Sequence, residues 1–272
     1  MITRPPLPKL MVAPNGARRT KADHPALPIT LDEIVATAVA CSDAGAEGLH
    51  LHIRDQHGAH SLDVDRYRET IARVMDAAPE LFIQVTSEAA GRYTAEEQRA
   101  LIRGLRPASV SVALREMIRE PNDRAAAGDL YHWAVSHGVM IQHIVYSPDE
   151  LAWLMRETDE GTIPGDHHQV QLVLGAYGTT EPPPCGALEA FLSLMSGRDF
   201  DWMICAFGPS ETPSLTKAAR HGGKVRVGFE NSLWNADGSI ARDNAERVRE
   251  VREAIEGFHR IAAPQTLSPS DK

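Results

Sequence analysis

The stretch Gly48–Asp55, with the sequence GLHLHIRD, places two histidines two residues apart inside an apolar run. Side chains of a β-strand alternate between its two faces, so His50, His52 and Arg54 would share one face. The leucines and the isoleucine between them would occupy the other face. The stretch therefore predicts a strand with one apolar face and one face that carries two imidazoles and a guanidinium.

The composition excludes several classes of protein. The chain has 272 residues and a net charge of −9, so it lacks the basic surface of a nucleic-acid-binding domain. No apolar run approaches the ~20 residues that a membrane-spanning helix needs, and the N-terminus carries no apolar signal segment. Three scattered cysteines fit a reducing compartment better than a disulfide framework. We therefore expect a cytoplasmic protein that binds neither nucleic acid nor membranes.

Apolar strand patterns alternate with helical patterns along the chain. Eight segments are predicted as strands: Leu10–Asn15, Gly48–Arg54, Leu81–Ser87, Ser109–Leu114, Met140–Tyr146, Gln169–Gly175, Asp201–Gly208 and Lys224–Glu230. Helical periodicity lies between or after them in Leu31–Ala44, Val64–Ala77 and Asn244–Phe258. Capping boxes at Thr30–Glu33 and Ser147–Glu150 mark two helix starts. This alternation is typical of an α/β fold, and eight strand–helix units match a (β/α)8 TIM barrel.

The faces of the predicted strands favour the barrel over a doubly wound open sheet. Parallel strands that are buried on both faces normally read as continuous apolar runs. Here polar residues recur at alternate positions, as in Gln84 and Thr86, or Gln169 and Gln171. A barrel explains them if the apolar positions face the helices and the polar positions face inward. We therefore predict one barrel domain that spans residues 1–272.

Three potential metal ligands converge in this barrel. His50 and His52 end the second predicted strand, and Glu230 ends the eighth. Both strands flank the first strand of a closed barrel, so the three side chains meet at its carboxyl end, near Asn15. Two imidazoles and a carboxylate that leave a coordination position open suit a catalytic Zn²⁺ ion. The alternative is that one histidine is exposed and the other packs in the core.

Two arginines of the same strands each allow two interpretations. Arg54 forms either a local ion pair with Asp55 or a contact that orients the metal ligands. Arg226 shares the face of Glu230 but lies four residues earlier, which is about 13 Å along an extended strand. It is either a buried arginine satisfied by polar groups of the barrel or a clamp for a substrate carboxylate.

Four motifs together resemble the β-keto acid cleavage enzyme family over nearly the whole chain. They are APNGARRTK (Ala13–Lys21), HLHIRD (His50–Asp55), VRVGFEN (Val225–Asn231) and LVLG (Leu172–Gly175). The resemblance implies a zinc-dependent (β/α)8 barrel that assembles as a homo-oligomer, a dimer or a tetramer. It also implies two small-molecule partners, a β-keto acid and acetyl-CoA, which would give acetoacetate and a shortened CoA ester.

The resemblance also implies roles for the residues near the predicted ligands. His50, His52 and Glu230 would hold zinc, which would polarise the keto acid so that the adjacent carbanion attacks the thioester. Arg226 falls where the family has one half of a proton-abstracting arginine–aspartate pair, and Asn231 stands at the position of the aspartate.

Substrate contacts follow from the same resemblance. Thr86 or Ser87 falls where the family has a serine–threonine pair after the third strand, and Ser111 falls where it has a threonine in the fourth. Asn15, at the end of the first strand, is counted with these contacts. All four side chains could donate or accept a hydrogen bond.

Two departures from the family pattern affect the predicted reaction. An amide cannot act as a carboxylate base, so Asn231 leaves the proton acceptor open, with Asp55 and Glu88 as alternatives. Arg18 stands where the family member that acts on an aminated substrate has a glutamate. Because a guanidinium repels an ammonium and attracts an anion, we expect a substrate with a neutral or anionic tail. The other interpretation of Arg18 is a solvated charge of the loop.

Two further functions stay open at this stage. A metal-dependent amidohydrolase also carries an HxH motif on a barrel strand, but it uses the first strand, and an aspartate follows its eighth. A degenerate barrel that binds zinc and a ligand without turnover is the non-enzymatic alternative. Asn231 favours this alternative, as does Phe207–Ser210, which lacks the arginine that the family often has after its seventh strand.

Overall fold

The computed structural model describes residues 5–178, 181, 183–184 and 186–262, so Cys185 lies outside the described residues. Its strands, in chain order, are β1 (Leu10–Val12), β2 (Gly48–Leu51), β3 (Ile53–Arg54), β4 (His60–Ser61), β5 (Phe82–Thr86), β6 (Ser109–Ala113), β7 (Met140–Val145), β8 (His168–Leu174), β9 (Phe200–Ala206) and β10 (Lys224–Val227). Its helices are α1 (Leu31–Asp43), α2 (Val64–Ala77), α3 (Ala95–Leu105), α4 (Leu114–Met117), α5 (Asp123–Ser136), α6 (Pro148–Asp159), α7 (Ala187–Met195), α8 (Glu211–Arg220) and α9 (Asn244–Ala262). None of these helices is long and apolar enough to cross a membrane.

Eight of the strands close into a parallel barrel. The first barrel strand, β1, pairs with both β2 and β10, and every neighbouring pair is parallel. Helices lie between successive barrel strands, so the predicted (β/α)8 TIM barrel is confirmed and the open doubly wound sheet is excluded. The remaining strands, β3 and β4, form a short antiparallel hairpin after β2.

The apolar positions of the strands face the helices, as the alternation predicts. Val85, Val110 and Leu172 are fully or almost fully buried in one large cluster that also contains Ile34 and Leu101 from α1 and α3. Burying aliphatic side chains of this size stabilises the fold by about 1.5–3 kcal/mol each. This outer core fixes the strands, and it leaves their other face to line the inside of the barrel.

The interior of the barrel holds both apolar and polar side chains. Leu7, Met11 and Met203 form a small buried cluster of their own at the amino end of the strands. Further along, Gln84 donates a hydrogen bond to Gln142 across the interior at 2.9 Å. Buried amides of this kind are costly unless they are paired, so the polar interior is ordered by such bonds.

Every predicted strand ends earlier than expected, for example at Val12 instead of Asn15 in the first strand, and two of these early ends affect the site. The second strand stops at Leu51, and Ile53 and Arg54 pair with β4 instead of continuing in the barrel. The eighth barrel strand stops at Val227, so the prediction that Glu230 is its last residue is wrong. After Leu51 the chain passes into the β3–β4 hairpin, and after Val227 it turns at Gly228, so the next side chains lie at the barrel mouth.

Candidate metal centre and active-site cavity

A buried cluster of two histidines and a glutamate lies across the carboxyl end of β1. The Nε2 atoms of His50 and His52 are 3.2 Å apart, and Glu230 Oε2 lies 3.7 Å from the first and 3.3 Å from the second. One potential ligand atom from each residue lies within 4.8 Å of the others. The alternative of one exposed histidine is therefore wrong, since both are at most 1% exposed.

A sharp turn brings Glu230 to the histidines. Gly228 has a φ of +137°, and a Cβ atom there would lie 2.5 Å from the carbonyl oxygen of Ala13. After this turn the backbone N–H of Glu230 donates to the same carbonyl at 3.0 Å. Only glycine adopts such a conformation without strain. The turn therefore docks on the end of β1 and places the carboxylate between the neighbouring strands.

Polar side chains behind the turn hold it in place. Asn244, the first residue of α9, accepts a hydrogen bond from the N–H of Phe229 at 2.9 Å and donates to Pro14 O at 3.0 Å. The N–H of Gly228 donates to Glu211, which forms a fully buried ion pair of 2.7 Å with Arg247. This support could not be predicted from the sequence, in which Asn244 is only the start of a helical pattern.

Two glutamines set the tautomer of His50. Gln84 uses its NH₂ group to donate to Gln142, so its carbonyl oxygen, Oε1, faces His50 Nδ1 at 2.8 Å. An amide oxygen only accepts hydrogen bonds, so Nδ1 carries the proton and the lone pair of Nε2 points into the cluster. Burial, followed by the charge of Arg226, lowers the pKa of His50 well below its usual value. The imidazole is neutral, which is the form that binds a metal.

Arg226 reaches the cluster because β10 ends early. Its Nη2 atom lies 3.1 Å from Glu230 Oε1 and 3.4 Å from the thiol sulfur of Cys205. Although burial acts in the opposite direction, the charges of Arg226 and His52 hold the pKa of Glu230 well below its usual range. The carboxylate is therefore ionised, with one oxygen on the guanidinium and the other facing the imidazoles. Barrel groups pair with Nη2, whereas Nε and Nη1 are buried and have no hydrogen-bond partner among the described residues, so the carboxylate clamp stays a prediction.

Arg54 supports the loop after β1 and forms no ion pair with Asp55 in the described structure. Its Nη2 group donates to the carbonyl oxygens of Asn15 at 3.3 Å, Gly16 at 2.5 Å and Arg19 at 2.9 Å. The Asp55 carboxylate instead accepts from the backbone of its own turn and pairs with Arg92 at 3.3 Å. Arg54 thus fixes the loop that passes beside the cluster.

A cavity of about 260 Å³ opens above the cluster. Thr86, Glu88 and Arg18 lie in its wall together with His50, Glu230 and Arg226, and its remaining lining residues are Arg115, Glu116, Ile144, Tyr146, Val173, Ala176, Tyr177 and Phe207. Pockets for small ligands typically hold about 300–1,000 Å³, so this one fits a small acid rather than a bulky molecule.

Arg18 lies at the exposed side of this cavity. Its side chain is 53% exposed, its guanidinium lies over the ring of Tyr177 at 5.4 Å, and it pairs with Glu88 at 3.7 Å. Burial raises the pKa of Glu88, an effect that Arg18 partly offsets. The pair places one cation and one anion on the wall of a small site.

The other residues with a predicted role lie near the cavity but do not line it. Asn15 donates to Pro28 O and His52 O, and Ser87 donates to Ser111 O at 2.8 Å. The side-chain amide of Asn231 is fully buried and has no hydrogen-bond partner within the described part of the chain. The predicted roles of these four residues in binding and catalysis stay predictions.

The donor set fits a divalent metal such as zinc. Two imidazoles and an ionised carboxylate present three donor atoms, and Glu230 Oε2 accepts no hydrogen bond from the described residues. Three protein ligands on one side of a cavity leave positions for water or substrate, which is the pattern of a catalytic site. The cluster can therefore hold a metal ion at the floor of the cavity.

Comparisons with known proteins agree with this geometry. The sequence pattern of the beta-keto acid cleavage enzyme family matches residues 9–267. The 3-keto-5-aminohexanoate cleavage enzyme of Acetoanaerobium sticklandii is 28% identical over 255 residues, which cover 92% of this chain and 92% of that enzyme. The 3-oxoadipate:acetyl-CoA acetyltransferase of Cupriavidus necator is 25% identical over 260 residues, which cover 93% of this chain and 90% of that enzyme.

A solved structure shares the fold. The ternary complex of ObcA with a C4-CoA adduct and oxalate superimposes with a TM-score of 0.66 at 19% sequence identity. The match covers 86% of this chain and spans 65% of the ObcA chain. With a family match over almost its full length, the chain belongs to the beta-keto acid cleavage enzyme family, and it is an enzyme that breaks a C–C bond by acyl transfer.

Proposed function

We propose that this protein is a zinc-dependent enzyme that converts a β-keto acid and acetyl-CoA into acetoacetate and a shortened CoA ester. The observation that carries the proposal is the buried cluster of His50, His52 and Glu230 at the floor of a cavity, in a chain of this family. Family membership favours this function over the amidohydrolase and the zinc-binding barrel without turnover. Cytoplasmic location and homo-oligomeric assembly remain predictions from the sequence.

The chemistry of the cluster supports zinc. Two imidazoles and one carboxylate are a common ligand set of catalytic zinc, whereas magnesium and calcium prefer ligands that are all oxygen. A bound zinc ion would act as a Lewis acid on the keto and carboxylate oxygens of the substrate. Gln84 and Arg226 orient the ligands from outside, by hydrogen bonds to His50 and Glu230. Such outer contacts typically change metal affinity 10–100-fold.

Other residues of the chain position the substrate for the reaction. The cavity wall positions the keto acid, and the Thr86 hydroxyl, whose oxygen accepts from the N–H of Glu88 at 3.1 Å, still has its own proton to donate to the substrate. Loss of a proton from the carbon between the keto and carboxylate groups gives a carbanion that attacks the acetyl thioester. The released CoA thiolate then adds to the keto carbon, and the C–C bond breaks. Atoms balance, with no oxidant or reductant required.

The charge of Arg18 supports an anionic or neutral substrate tail. Its guanidinium lies at the exposed side of the cavity, and its partner Glu88 is 3.7 Å away, too far for a short ion pair. A carboxylate at the far end of the substrate would gain a closer and charge-assisted partner there. An ammonium group at that place would meet like charge, which disfavours the wrong substrate.

A panel of β-keto acids tests the proposal. The purified protein is mixed with acetyl-CoA and either 3-oxoadipate or 3-keto-5-aminohexanoate, and acetoacetate formation is followed. The proposal predicts turnover that needs both acetyl-CoA and bound zinc, with 3-oxoadipate preferred, and no turnover in His50→Ala. Preference for the aminated acid would contradict the tail assignment. Bound zinc without consumption of any acid would contradict the reaction and favour the binding-only barrel.

A further inference from the structure

We infer that Glu88 is the catalytic base that removes the proton from the keto acid, an assignment that rests on the proposed function. Glu88 lies in the wall of the cavity that the metal cluster floors. The reaction needs a group there that accepts a proton from carbon. A positioned side chain typically contributes a factor of about 10²–10⁴ to such a step.

The other titratable groups of the cavity wall cannot serve as that base. Arg18, Arg115 and Arg226 are permanent cations, so none of them accepts a proton. Burial raises the pKa of the Tyr146 and Tyr177 phenols, so both keep their protons. These five side chains can bind or orient a substrate but do not ionise it.

The remaining ligand-like groups are already engaged. His50 uses Nδ1 for Gln84 and points Nε2 into the cluster, where Glu230 also lies. Glu116 accepts hydrogen bonds from the N–H of Ala89 at 3.0 Å and from the side chain of Gln98 at 2.6 Å. These bonds tie the Glu116 carboxylate to the loop after β5 and to α3, so it is less available to a substrate than the carboxylate of Glu88. Elimination within the cavity wall leaves Glu88.

The surroundings of Glu88 suit the role. Its backbone is fixed on both sides, since its N–H donates to Thr86 Oγ1 at 3.1 Å and its carbonyl accepts from His60 Nε2 at 2.9 Å. The carboxylate has one ion contact within the described residues, to Arg18 at 3.7 Å. Its side chain is 19% exposed, so it is partly withdrawn from water. Partial burial makes a carboxylate more basic, which brings it closer to a working general base.

Asn231, which stands at the position of the family's aspartate, does not compete with Glu88 for this role. Its side chain does not line the cavity, and an amide does not accept a proton from carbon. The step is a simple transfer: the C–H bond of the keto acid breaks, an O–H bond forms on Glu88, and the electron pair moves toward the keto oxygen. When the C–C bond of the adduct breaks, Glu88 returns the proton to the same carbon of acetoacetate.

Hydrogen–deuterium exchange tests this step without acyl transfer. Zinc-loaded protein is incubated with 3-oxoadipate in D₂O without acetyl-CoA, and loss of the proton signal between the keto and carboxylate groups is followed by NMR. We expect Glu88→Gln to lower the enzyme-catalysed exchange rate by about 10²–10⁴-fold, and Glu88→Asp to keep part of it. Glu116→Gln removes the same charge from the same wall and is expected to lower the rate far less.

Chemical rescue separates a base from a structural role. Added formate should restore exchange in Glu88→Ala, because the smaller side chain leaves room for it. Formate should not restore exchange in Glu88→Gln. Measuring the zinc content of each variant shows whether its metal cluster is intact. Exchange at the wild-type rate in Glu88→Gln overturns the assignment, as does a wild-type protein that does not accelerate exchange. Exchange without acetoacetate formation, once acetyl-CoA is added, overturns the proposed reaction and leaves Glu88 as the base.

Discussion

At the scale of single residues, the state of the metal ligands depends on groups outside the cluster. Gln142 fixes the orientation of Gln84, Gln84 fixes the proton on His50 Nδ1, and the free lone pair then faces Glu230. Each link is a buried hydrogen bond that would be costly to leave unpaired. The chain of amides therefore prepares the site before any metal binds.

Replacing Gln84 by leucine tests this chain. His50 would lose the acceptor that fixes its tautomer, so we expect the zinc dissociation constant to rise about 10–100-fold. Gln171→Leu is the matched control, because within the described part of the chain that buried glutamine bonds only to the backbone carbonyls of Leu172 and Met203. Equal zinc affinities of the two variants, measured by competition with a chelator, would contradict the role of Gln84.

The second prediction at the scale of single residues concerns the effect of Arg18 on substrate preference. Arg18→Glu should lower kcat/KM for 3-oxoadipate by about tenfold, which corresponds to about 1.4 kcal/mol, because an attraction becomes a repulsion. The ratio of kcat/KM values for the anionic and the aminated acid should fall in Arg18→Glu and fall less in Arg18→Gln. An unchanged ratio would show that Arg18 is a solvated loop charge.

The residues that could be predicted from the sequence are those whose chemistry shows in a local pattern. His50 and His52 follow from alternation on one strand, and Glu230 follows from strand order in a closed barrel. Asn244 and Glu211 do not, because their contacts to the turn at Gly228 join positions that are far apart in the chain. The contact between Arg226 and Glu230 could not be predicted either, since the sequence does not show that β10 stops at Val227.

At the scale of elements, the turn after β10 and the start of α9 form one structural unit. Asn244→Ala would leave the buried N–H of Phe229 and the carbonyl of Pro14 unpaired, at a cost of about 1–3 kcal/mol each. We expect a lower free energy of unfolding and weaker zinc binding, since Glu230 is carried by this turn. Asn122→Ala is the control, because that exposed asparagine stands just before α5 but makes no capping bond. Wild-type zinc affinity in Asn244→Ala would contradict the coupling.

The start of α1 gives a prediction that depends on pH. Partial burial raises the pKa of Glu33, but hydrogen bonds from Lys21 and from the backbone of Thr30 and Ile29 outweigh it and lower this pKa from 4.5 to about 2. Because this pKa is lower in the folded protein than in the unfolded chain, Glu33 stabilises the fold when the pH is above the unfolded-chain pKa. This contribution is lost as the pH falls from 4.5 toward 2.

Glu33→Gln measures that contribution. The free energy of unfolding of the variant should be lower than that of the wild type near neutral pH, and the difference should shrink as the solution is acidified below about pH 4.5. Chemical denaturation at several pH values measures it. A difference that stays constant with pH would show that the charge of Glu33 does not stabilise the capping box of α1.

At the scale of the whole molecule, the closed barrel brings distant segments of sequence to one small cavity. The cluster joins residues 50, 52 and 230, and the wall adds residues from the loops after several other strands. Leu7, Met11 and Met203 form an apolar cluster at the amino end of the barrel, and the candidate site lies at the carboxyl end, where barrel enzymes place their active sites. The barrel therefore supplies a rigid support, and the reaction depends on the few polar residues at its mouth.

The most direct test of the account is a zinc titration of metal-free protein with turnover as the readout. Acetyl-CoA-dependent formation of acetoacetate from 3-oxoadipate should appear in proportion to bound zinc and reach its maximum at about one ion per chain, as three clustered ligands predict. His52→Ala should bind zinc weakly and stay inactive. Full turnover by the metal-free wild type, or by His52→Ala, would contradict the account.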